Sequence, residues 1–402
     1  MCGHYAFHSS SPKTPAYINN ITSNTNIAFV SMCCMLLFLC SCTQGPVTED
    51  NIPPNNSYEK DSASADAEEI NITSMLSLQQ DQSYVVCDYF EGNVLILISD
   101  SSKQNSNDIT DQATTVFFEE FVVLNIQTQS IINRYPIQEF GICPSAIQAF
   151  GGVVYPFFSV GTNQMDSSII FIDSSGKTVI YHGEFTPFST GPVLHRYQDC
   201  LLFSFFNYKN NTFGISRIDS KFDVAPVLTF EASDCDYISD DFSVSNDHYV
   251  YAVGEKSSVT FYIGNDLDDL STTKVSLPQN EKIHGFSLTD DTLFVSVAAK
   301  TSEEDQQNPY IESFDLETGK SIKKRSLSAP LYSITTNDSD QLCGFSVSIF
   351  KMYSIKEPLE EIRLGDTLIH GEFYKIFPDK DSFLIVIYGF DDPPEFWKVI
   401  AK

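Results

Sequence analysis

The chain has 402 residues, 42% of them apolar and 13% aromatic, so it can bury a sizeable core and is not a disordered polypeptide. It carries 53 acidic against 24 basic residues, which gives a formal net charge of −29. Such a charge repels phosphate backbones, so the composition argues against nucleic acid as a partner.

The first 41 residues have the composition of an export signal, with no acid and a single base, Lys13. The apolar run Ile27–Leu39 is too short to span a bilayer but suits the hydrophobic part of a secretory signal. It ends in Leu39-Cys40-Ser41-Cys42, which resembles the lipobox of bacterial lipoproteins. The resemblance implies cleavage before Cys42, thioether lipidation of its sulfur and a membrane anchor. A transmembrane anchor and an ordinary secretory signal are the alternatives.

The next segment, residues 42–67, is predicted to be the lipidated cysteine followed by a flexible tether. It is rich in Pro, Asn and Ser and holds acids such as Glu49 and Asp50. Because it has no periodic apolar pattern, burial cannot offset the entropy lost on ordering it. We therefore divide the chain into a signal peptide (1–41), an acidic tether (42–67) and a folded domain (68–402).

The folded domain consists of short β-type runs bounded by Gly, Asp, Asn and Pro. The clearest unit, Ile283–Leu327, contains four such runs, with Gly319 in the last tight turn. Similar units begin near Ser83, Ile147, Val193, Asp241, Ile283, Leu331 and His370. Four antiparallel strands recurring at this spacing are typical of β-propeller blades.

We predict an all-β fold, a propeller of four-stranded antiparallel blades, and count seven blades, with six or eight as alternatives. The last unit ends one strand short, and Glu69–Thr73 alternates as a strand should. This N-terminal strand of the domain is expected to complete the last blade and close the ring. A pair of β-sandwiches and a β-helix are the competing folds, but a sandwich does not need regular four-strand units and a β-helix repeats with shorter, stricter Gly or Asn punctuation.

Together, the lipobox, the Pro/Asn/acidic tether and the short-strand blades resemble the TolB-like β-propeller lipoproteins of Bacteroidota. The resemblance extends from Cys42 to the C-terminus and is one of architecture. It implies a propeller lipid-anchored in the bacterial cell envelope, at the outer membrane. It implies no common activity.

Two acidic loops are candidate Ca²⁺ sites, because Ca²⁺ prefers oxygen ligands. The carboxylates concerned are Asp234, Asp236, Asp240 and Asp241 in one loop and Asp266, Asp268 and Asp269 in the other. Neither loop matches the EF-hand pattern, and solvated loop acids are the plainer interpretation. No cofactor is predicted, with Ca²⁺ as the alternative.

Three segments share a His-Gly pair close to an aromatic residue, at His182, His284 and His370. His284 and His370 begin predicted innermost strands, which converge on the channel of a propeller, so both are candidate ligand-binding residues. His182 falls on a predicted outer strand. A strand-entry motif spread by the repeats is the plainer interpretation.

Five cysteines follow Cys42, and none forms a C-x-x-C pair. Cys87, Cys200 and Cys343 lie in strand-like runs and are expected to be small buried side chains, whereas Cys143 and Cys235 lie between such runs. Export permits one or two disulfides, whose pairing the sequence leaves open.

No nucleophile elbow and no phosphate-binding loop occurs in the sequence. We therefore predict a monomeric, membrane-anchored, non-catalytic module that binds an envelope protein or peptide. One alternative is an enzyme acting on glycan or ester substrates at the channel mouth, with or without a metal. Another is a structural envelope component without a small ligand.

Overall fold

The computed structural model describes residues 65–401, except for the segments 104–115, 142–144, 161–164, 184–192, 208–209, 234–235, 256–257, 268–271, 279–280, 301–306, 347–348, 356–359, 363, 365–368, 370, 372 and 389–393. The lipobox, Cys42 and nearly all of the expected tether therefore lie outside the described residues. Within the described ranges, no helix has the length and hydropathy needed to cross a membrane.

Strands account for nearly all of the regular structure in the described chain. In chain order the elements are β1 (Ala65–Glu69), α1 (Thr73–Leu76), β2 (Gln82–Phe90), β3 (Asn93–Asp100), β4 (Val116–Asn125), β5 (Ser130–Gly141), β6 (Ile147–Ala149), β7 (Gly152–Val160), β8 (Met165–Asp173), β9 (Gly176–Gly183), β10 (Leu194–Tyr197), β11 (Cys200–Asn207), β12 (Thr212–Ile218), β13 (Val224–Glu231), β14 (Asp236–Val244), β15 (Tyr249–Glu255), β16 (Ser258–Gly264), β17 (Thr273–Pro278), β18 (Glu281–Leu288), β19 (Thr292–Lys300), β20 (Gln307–Asp315), β21 (Ser321–Ser326), β22 (Tyr332–Asn337), β23 (Gln341–Ser346), β24 (Ile349–Ser354), β25 (Glu360–Ile362), β26 (Phe373–Pro378), β27 (Ser382–Tyr388) and β28 (Glu395–Ala401).

These strands form seven antiparallel sheets of four. Blades 1 to 6 are β2–β5, β6–β9, β10–β13, β14–β17, β18–β21 and β22–β25, and blade 7 is β26–β28 with β1 as its outermost strand. The first strand of each blade contacts the first strand of the next, and β26 contacts β2, so these innermost strands form a closed ring. The chain is a seven-bladed β-propeller, which confirms the predicted fold.

The ring is closed by pairing the N-terminal strand with the C-terminal strand, and β1 pairs antiparallel with β28, so that Ala65 lies opposite Ala401. Closure by an N-terminal strand is confirmed, but the segment expected to do so, Glu69–Thr73, is wrong by four residues, because the strand ends at Glu69. Ile72 is fully buried in the core between blades 7 and 1, just before α1 begins. Its place in the apolar alternation therefore reflects burial and not strand pairing.

The core lies between the blades. Each of the seven interfaces between neighbouring blades holds its own cluster of buried apolar side chains. Because both faces of a blade are covered, second strands contain continuous apolar runs, and Val94–Ile98 of β3 is buried at every position. Aromatic rings meet across these interfaces, for example Phe121 of blade 1 against Tyr155 of blade 2, with ring centroids 5.0 Å apart.

The two ends of the ring differ. At one end, which we call the turn face, each innermost strand passes to the second strand, in blades 1 and 2 through the two-residue turns Glu91–Gly92 and Phe150–Gly151. All four of these residues have positive φ, from +50° to +81°, as type I′ hairpins require. At the other end, which we call the connector face, each second strand ends and each innermost strand begins. As an outermost strand, β1 runs from the turn face to the connector face, so the chain enters the domain at the turn face.

Candidate functional site

A charged link joins the innermost strands of blades 1, 2 and 3. Asp88 on β2 is 7% exposed, and its carboxylate accepts hydrogen bonds from both terminal nitrogens of Arg196 on β10, Nη1···Oδ1 being 3.3 Å. Gln148 on β6 donates its backbone N–H to Asp88 Oδ2 at 2.8 Å, and its carbonyl accepts from Arg196 Nε at 2.9 Å. Since blade 2 separates the two charged residues, they meet only where the innermost strands converge, at the channel. We call these three residues the Asp88–Arg196 link.

The guanidinium of Arg196 also lies over an aromatic ring. Its central carbon is 4.1 Å from the centroid of Phe90, the last residue of β2. Phe90 is 40% exposed, which is unusual for a phenylalanine beside a buried charge pair. The link therefore ends in an exposed aromatic residue at the turn face.

A second set of polar contacts joins blade 7 to blade 1. Lys375 Nζ donates to the carbonyl of Val86 at 2.8 Å, and the Val86 N–H donates to the Tyr388 hydroxyl at 3.1 Å. The register of β2 shifts after Val86, which leaves Cys87 as the extra residue of a β-bulge. Burial raises the pKa of the Cys87 thiol to about 12, so it stays protonated and unreactive at neutral pH.

Bulges also shape the channel side of blades 5 and 6. His284 is the extra residue where the register of β18 shifts between Ile283 and Gly285. In β22 the register shifts just after Tyr332, where Ser333 has a positive φ of +49°. The His284 and Tyr332 rings meet edge to face, with centroids 4.7 Å apart and planes at 79°. Gly285 permits this approach, because a Cβ there would lie 3.3 Å from the Ser333 nitrogen.

The imidazole of His284 is held in its neutral form. Burial lowers its pKa to about 4, and the positive charge of Lys282 acts in the same direction. Its Nε2 atom is buried and has no hydrogen-bond partner among the described residues. His284 is therefore an uncharged polar group facing Tyr332, which is 39% exposed.

His195 of blade 3 is in a similar state. Its ring meets Phe242 of blade 4 edge to face, with centroids 4.8 Å apart. Burial, and next the charge of Arg196, lowers its pKa to about 4. Both histidines that the structure describes on the channel side are thus neutral at physiological pH.

These groups do not assemble into catalytic or metal-binding sets in the described part of the chain. The carboxylate of Asp88 already accepts from a guanidinium and a backbone N–H, and the Cys87 thiol is protonated. No group of three or more His, Cys, Asp or Glu residues suited to a metal ion occurs among the described residues. The arrangement can hold strands together and present aromatic and polar surface.

The predicted calcium candidates are only partly covered by the structure. Asp234, Asp268, Asp269 and the candidate ligand residue His370 lie outside the described residues. Asp236, Asp240 and Asp241 belong to β14, whose register is irregular between Tyr237 and Phe242, and their side chains are not described. Asp266 lies on the turn face beside a cleft of about 480 Å³ that Arg217 also lines. Calcium binding stays a prediction.

The shared His-Gly motif does not mark equivalent positions. His182 lies on the outermost strand of blade 2, is exposed, and has Nδ1 3.0 Å from the Ser168 hydroxyl. His284, in contrast, lies on an innermost strand. The expectation that His182 falls on an outer strand and His284 on an inner one is confirmed.

Cys87, Cys200 and Cys343 are free thiols in strands β2, β11 and β23. Cys200 and Cys343 are buried, as expected of small apolar side chains, whereas Cys87 is only half-buried, so for it the expectation of a buried side chain is wrong. Cys143 and Cys235 lie outside the described residues.

The sequence alone does not predict the Asp88–Arg196 link, because its charged members are 108 positions apart. One feature of the sequence does indicate that these residues need partners. Asp88 and Arg196 are charged residues inside short, otherwise apolar or aromatic innermost runs, where a charge has to find a partner.

No family model matches the chain, and no curated protein matches it. Solved propeller structures do match. With the β-propeller domain of the Trilobed protease from Pyrococcus furiosus the TM-score is 0.51 at 11% identity, over 81% of this chain and 96% of that one. With BamB from Moraxella catarrhalis it is 0.42 at 10% identity, over 79% and 96%. With virginiamycin B lyase from Staphylococcus aureus it is 0.45 at 13% identity, over 84% and 99%. These likenesses concern the fold alone.

Proposed function

We propose that this chain is a lipid-anchored protein of the bacterial cell envelope, of the TolB-like type found in Bacteroidota, located at the outer membrane. Its propeller binds an envelope protein or peptide, catalyses no reaction and acts as a monomer. The observation that carries the proposal is that the polar groups at the channel form hydrogen bonds that hold the innermost strands to one another.

A catalytic acid or base needs a lone pair or a proton that is free to meet substrate. Asp88 of blade 1 accepts hydrogen bonds from blades 2 and 3, and Lys375 of blade 7 donates to the backbone of blade 1. The two described channel histidines are neutral, and no carboxylate of a described residue orients either imidazole by a hydrogen bond. This distribution favours a binding role over acid–base chemistry.

In this proposal the anchor and a recognition surface at the connector face are at opposite ends of the domain. The chain enters the propeller at the turn face, through β1 at the rim of blade 7. The strand ends that lead from one blade to the next are at the other end, and segments that follow the strands of a rigid scaffold are the usual place for recognition. A tether attached at the turn face therefore does not cover the connector face.

Lipidation is tested by replacing Cys42 with Ala in the full chain and separating membranes from soluble material. The expected result is that the wild-type protein sediments with membranes and that Cys42→Ala releases it. A matched Cys40→Ala change, which leaves the lipidated position intact, should not. Continued membrane association of the Cys42→Ala protein contradicts the anchor.

The binding role is tested by cross-linking in the bacterial host, followed by affinity purification of the full chain. One protein recovered in near-equal amount is the expected result. Recovery of no protein contradicts the binding role. Screens of the purified protein for glycan and ester hydrolysis would then follow.

A further inference from the structure

Blade 5 carries a cluster of positive charge on its outer edge. Four basic residues, Lys320, Lys323, Lys324 and Arg325, lie within the six positions 320–325, in a chain with 24 basic and 53 acidic residues. They lie in or next to β21, the outermost strand of its sheet. We propose that this edge, the β21 edge, binds an acidic polypeptide segment in an extended conformation. This inference names the class of partner and rests on the proposed binding role.

The β21 edge is accessible. Five of the six residues of β21 are exposed, and Arg325 is half-buried. Ile322 is 58% exposed, more than any other large apolar side chain described in the protein. An outermost strand also offers backbone N–H and C=O groups to an added strand. The edge thus combines backbone pairing, charge and one apolar contact.

Two of the cations are held in place by aromatic rings. Lys324 Nζ is 3.3 Å from the ring centroid of Tyr310, and the guanidinium of Arg325 is 5.5 Å from that of Tyr353. Lys320 and Lys323 form no hydrogen bond or ion pair through their side chains with the described residues. The cluster therefore has two preoriented cations and two that are available to a partner.

Protection against edge-to-edge aggregation does not account for the cluster. Lysines on outer strands do serve that purpose. However, the outermost strand β13 of blade 3 contains no Lys or Arg, and β17 of blade 4 contains only Lys274. Those edges are tolerated without a basic run, so the concentration of charge on blade 5 needs another explanation.

The net charge of −29 does not prevent an acidic segment from binding here. At physiological ionic strength the Debye length is about 8 Å, so only charges close to the strand act on a bound segment. On the neighbouring strand, Glu312 already accepts from the Ser321 hydroxyl at 2.6 Å and lies 3.9 Å from Lys324 Nζ, and Asp315 accepts from the backbone N–H and the hydroxyl of Thr318. Both of these acids are therefore already engaged within blade 5.

The strand register indicates the sequence pattern of the partner. Lys323 lies opposite Ser313 and Lys324 opposite Glu312, so these neighbouring lysines point to opposite faces of the sheet. A partner strand meets both only if it has acidic residues at consecutive positions. An alternating pattern of acidic and neutral residues would meet the cations of one face alone.

The test uses a fluorescently labelled peptide with a run of consecutive Asp and Glu residues, titrated against the full chain in detergent. The wild-type protein should bind it, and Lys320→Glu/Lys323→Glu should weaken binding at least about tenfold, which is 1.4 kcal/mol. The control is Lys221→Glu/Lys380→Glu, which makes the same charge change at two exposed turn lysines of blades 3 and 7. This control should alter the affinity less than about twofold. Equal weakening in both variants overturns the proposal, as does absence of binding to the wild type.

Hydrogen exchange on the same complex separates strand addition from loose adsorption. Amides of β21 should gain protection when the consecutive-acid peptide binds, and a peptide alternating Asp with Ser should bind more weakly. Protection confined to other blades overturns the proposal. Self-association of the wild-type protein that Lys320→Glu/Lys323→Glu abolishes also overturns the proposal, because the occupant of the edge would then be a second copy of the chain.

The inference and the proposed function can fail separately. If the variant still recovers the cellular partner fully, this inference fails while the proposed function stands; if no partner is recovered at all, the proposed function fails.

Discussion

The two sides of the channel are held together by different chemistry. Across blades 1 to 3, Asp88 and Arg196 form a charged pair bridged by the backbone of Gln148. Between blades 5 and 6, the neutral imidazole of His284 packs against the ring of Tyr332. One side is therefore fixed by ionic hydrogen bonds and the other by an uncharged edge-to-face contact.

The difference determines how each side responds to change. A partly buried ion pair is stable only when complete, because removal of one partner leaves the other charge without compensation. A neutral histidine requires no counter-charge, but it resists protonation for as long as it stays buried. The first side should therefore be sensitive to mutation and the second to acid.

The largest effect is expected from Arg196→Ala. It leaves the carboxylate of Asp88, which is 7% exposed, with the Gln148 N–H as its one remaining hydrogen-bond donor among the described residues. The free energy of unfolding should fall by about 3 kcal/mol, as measured by urea titration at neutral pH. The double variant Asp88→Asn/Arg196→Met, which removes both charges, should recover most of that loss.

A matched arginine provides the control. Arg134 forms an ion pair with Glu120 on the exposed part of blade 1, with 43% of the arginine side chain accessible. Arg134→Ala should cost less than about 1 kcal/mol, because solvent screens such a pair. If Arg134→Ala and Arg196→Ala lower the free energy of unfolding equally, the link at the channel stabilises the fold no more than an exposed ion pair does.

The next effect concerns pH at blades 5 and 6. The pKa of His284 is about 4 in the folded protein and 6.5 when unfolded, so the unfolded chain binds the extra proton between these values. The stability gained by keeping His284 neutral is therefore complete above about pH 6.5 and is lost as the pH falls toward 4. The variant His284→Asn should lose less stability than wild type between pH 7 and pH 5, by on the order of 1 kcal/mol. Identical pH profiles from urea titrations would refute this assignment.

The smallest effect is expected from Tyr332→Ala. This change removes the edge-to-face contact with His284. Because Tyr332 is already 39% exposed, the free energy of unfolding should fall by only about 0.5 kcal/mol. Its clearer signature is electrostatic, since uncovering the imidazole should raise the pKa of His284 from about 4. An NMR titration of the imidazole protons measures this shift. An unchanged pKa would mean that Tyr332 does not shield the ring.

The blades were accessible to sequence reasoning because their pattern is local. The start points inferred from apolar runs, such as Ile147 and Leu331, coincide with or directly precede the innermost strands β6 and β22. The closing strand was misplaced because its own sequence, Ala65–Glu69, contains only two small apolar residues, whereas Ile70 and Ile72 beyond it carry the stronger pattern. The position of β1 is determined by its pairing with β28, which is more than 300 positions away along the chain.

The channel was less accessible, because its contacts join blades that are distant in sequence. His284 could be placed on an innermost strand from its position in the repeat, but the bulge that makes it the extra residue of β18 has no local signature. Arg196 reaches over blade 2 to Asp88, and nothing in a single strand indicates that span. The sequence thus predicts which strands line the channel, and three-dimensional packing decides which side chains meet there.

The most direct test of the proposed binding role is photo-cross-linking in the bacterial host from defined, exposed positions. A photoreactive residue would replace Lys282 at the connector-face end of blade 5, Lys323 on the β21 edge, or Asp290 on the turn face as a control. The proposal predicts one discrete protein adduct from the first two positions and none from Asp290. Irradiation that yields no adduct from any of the three would contradict it.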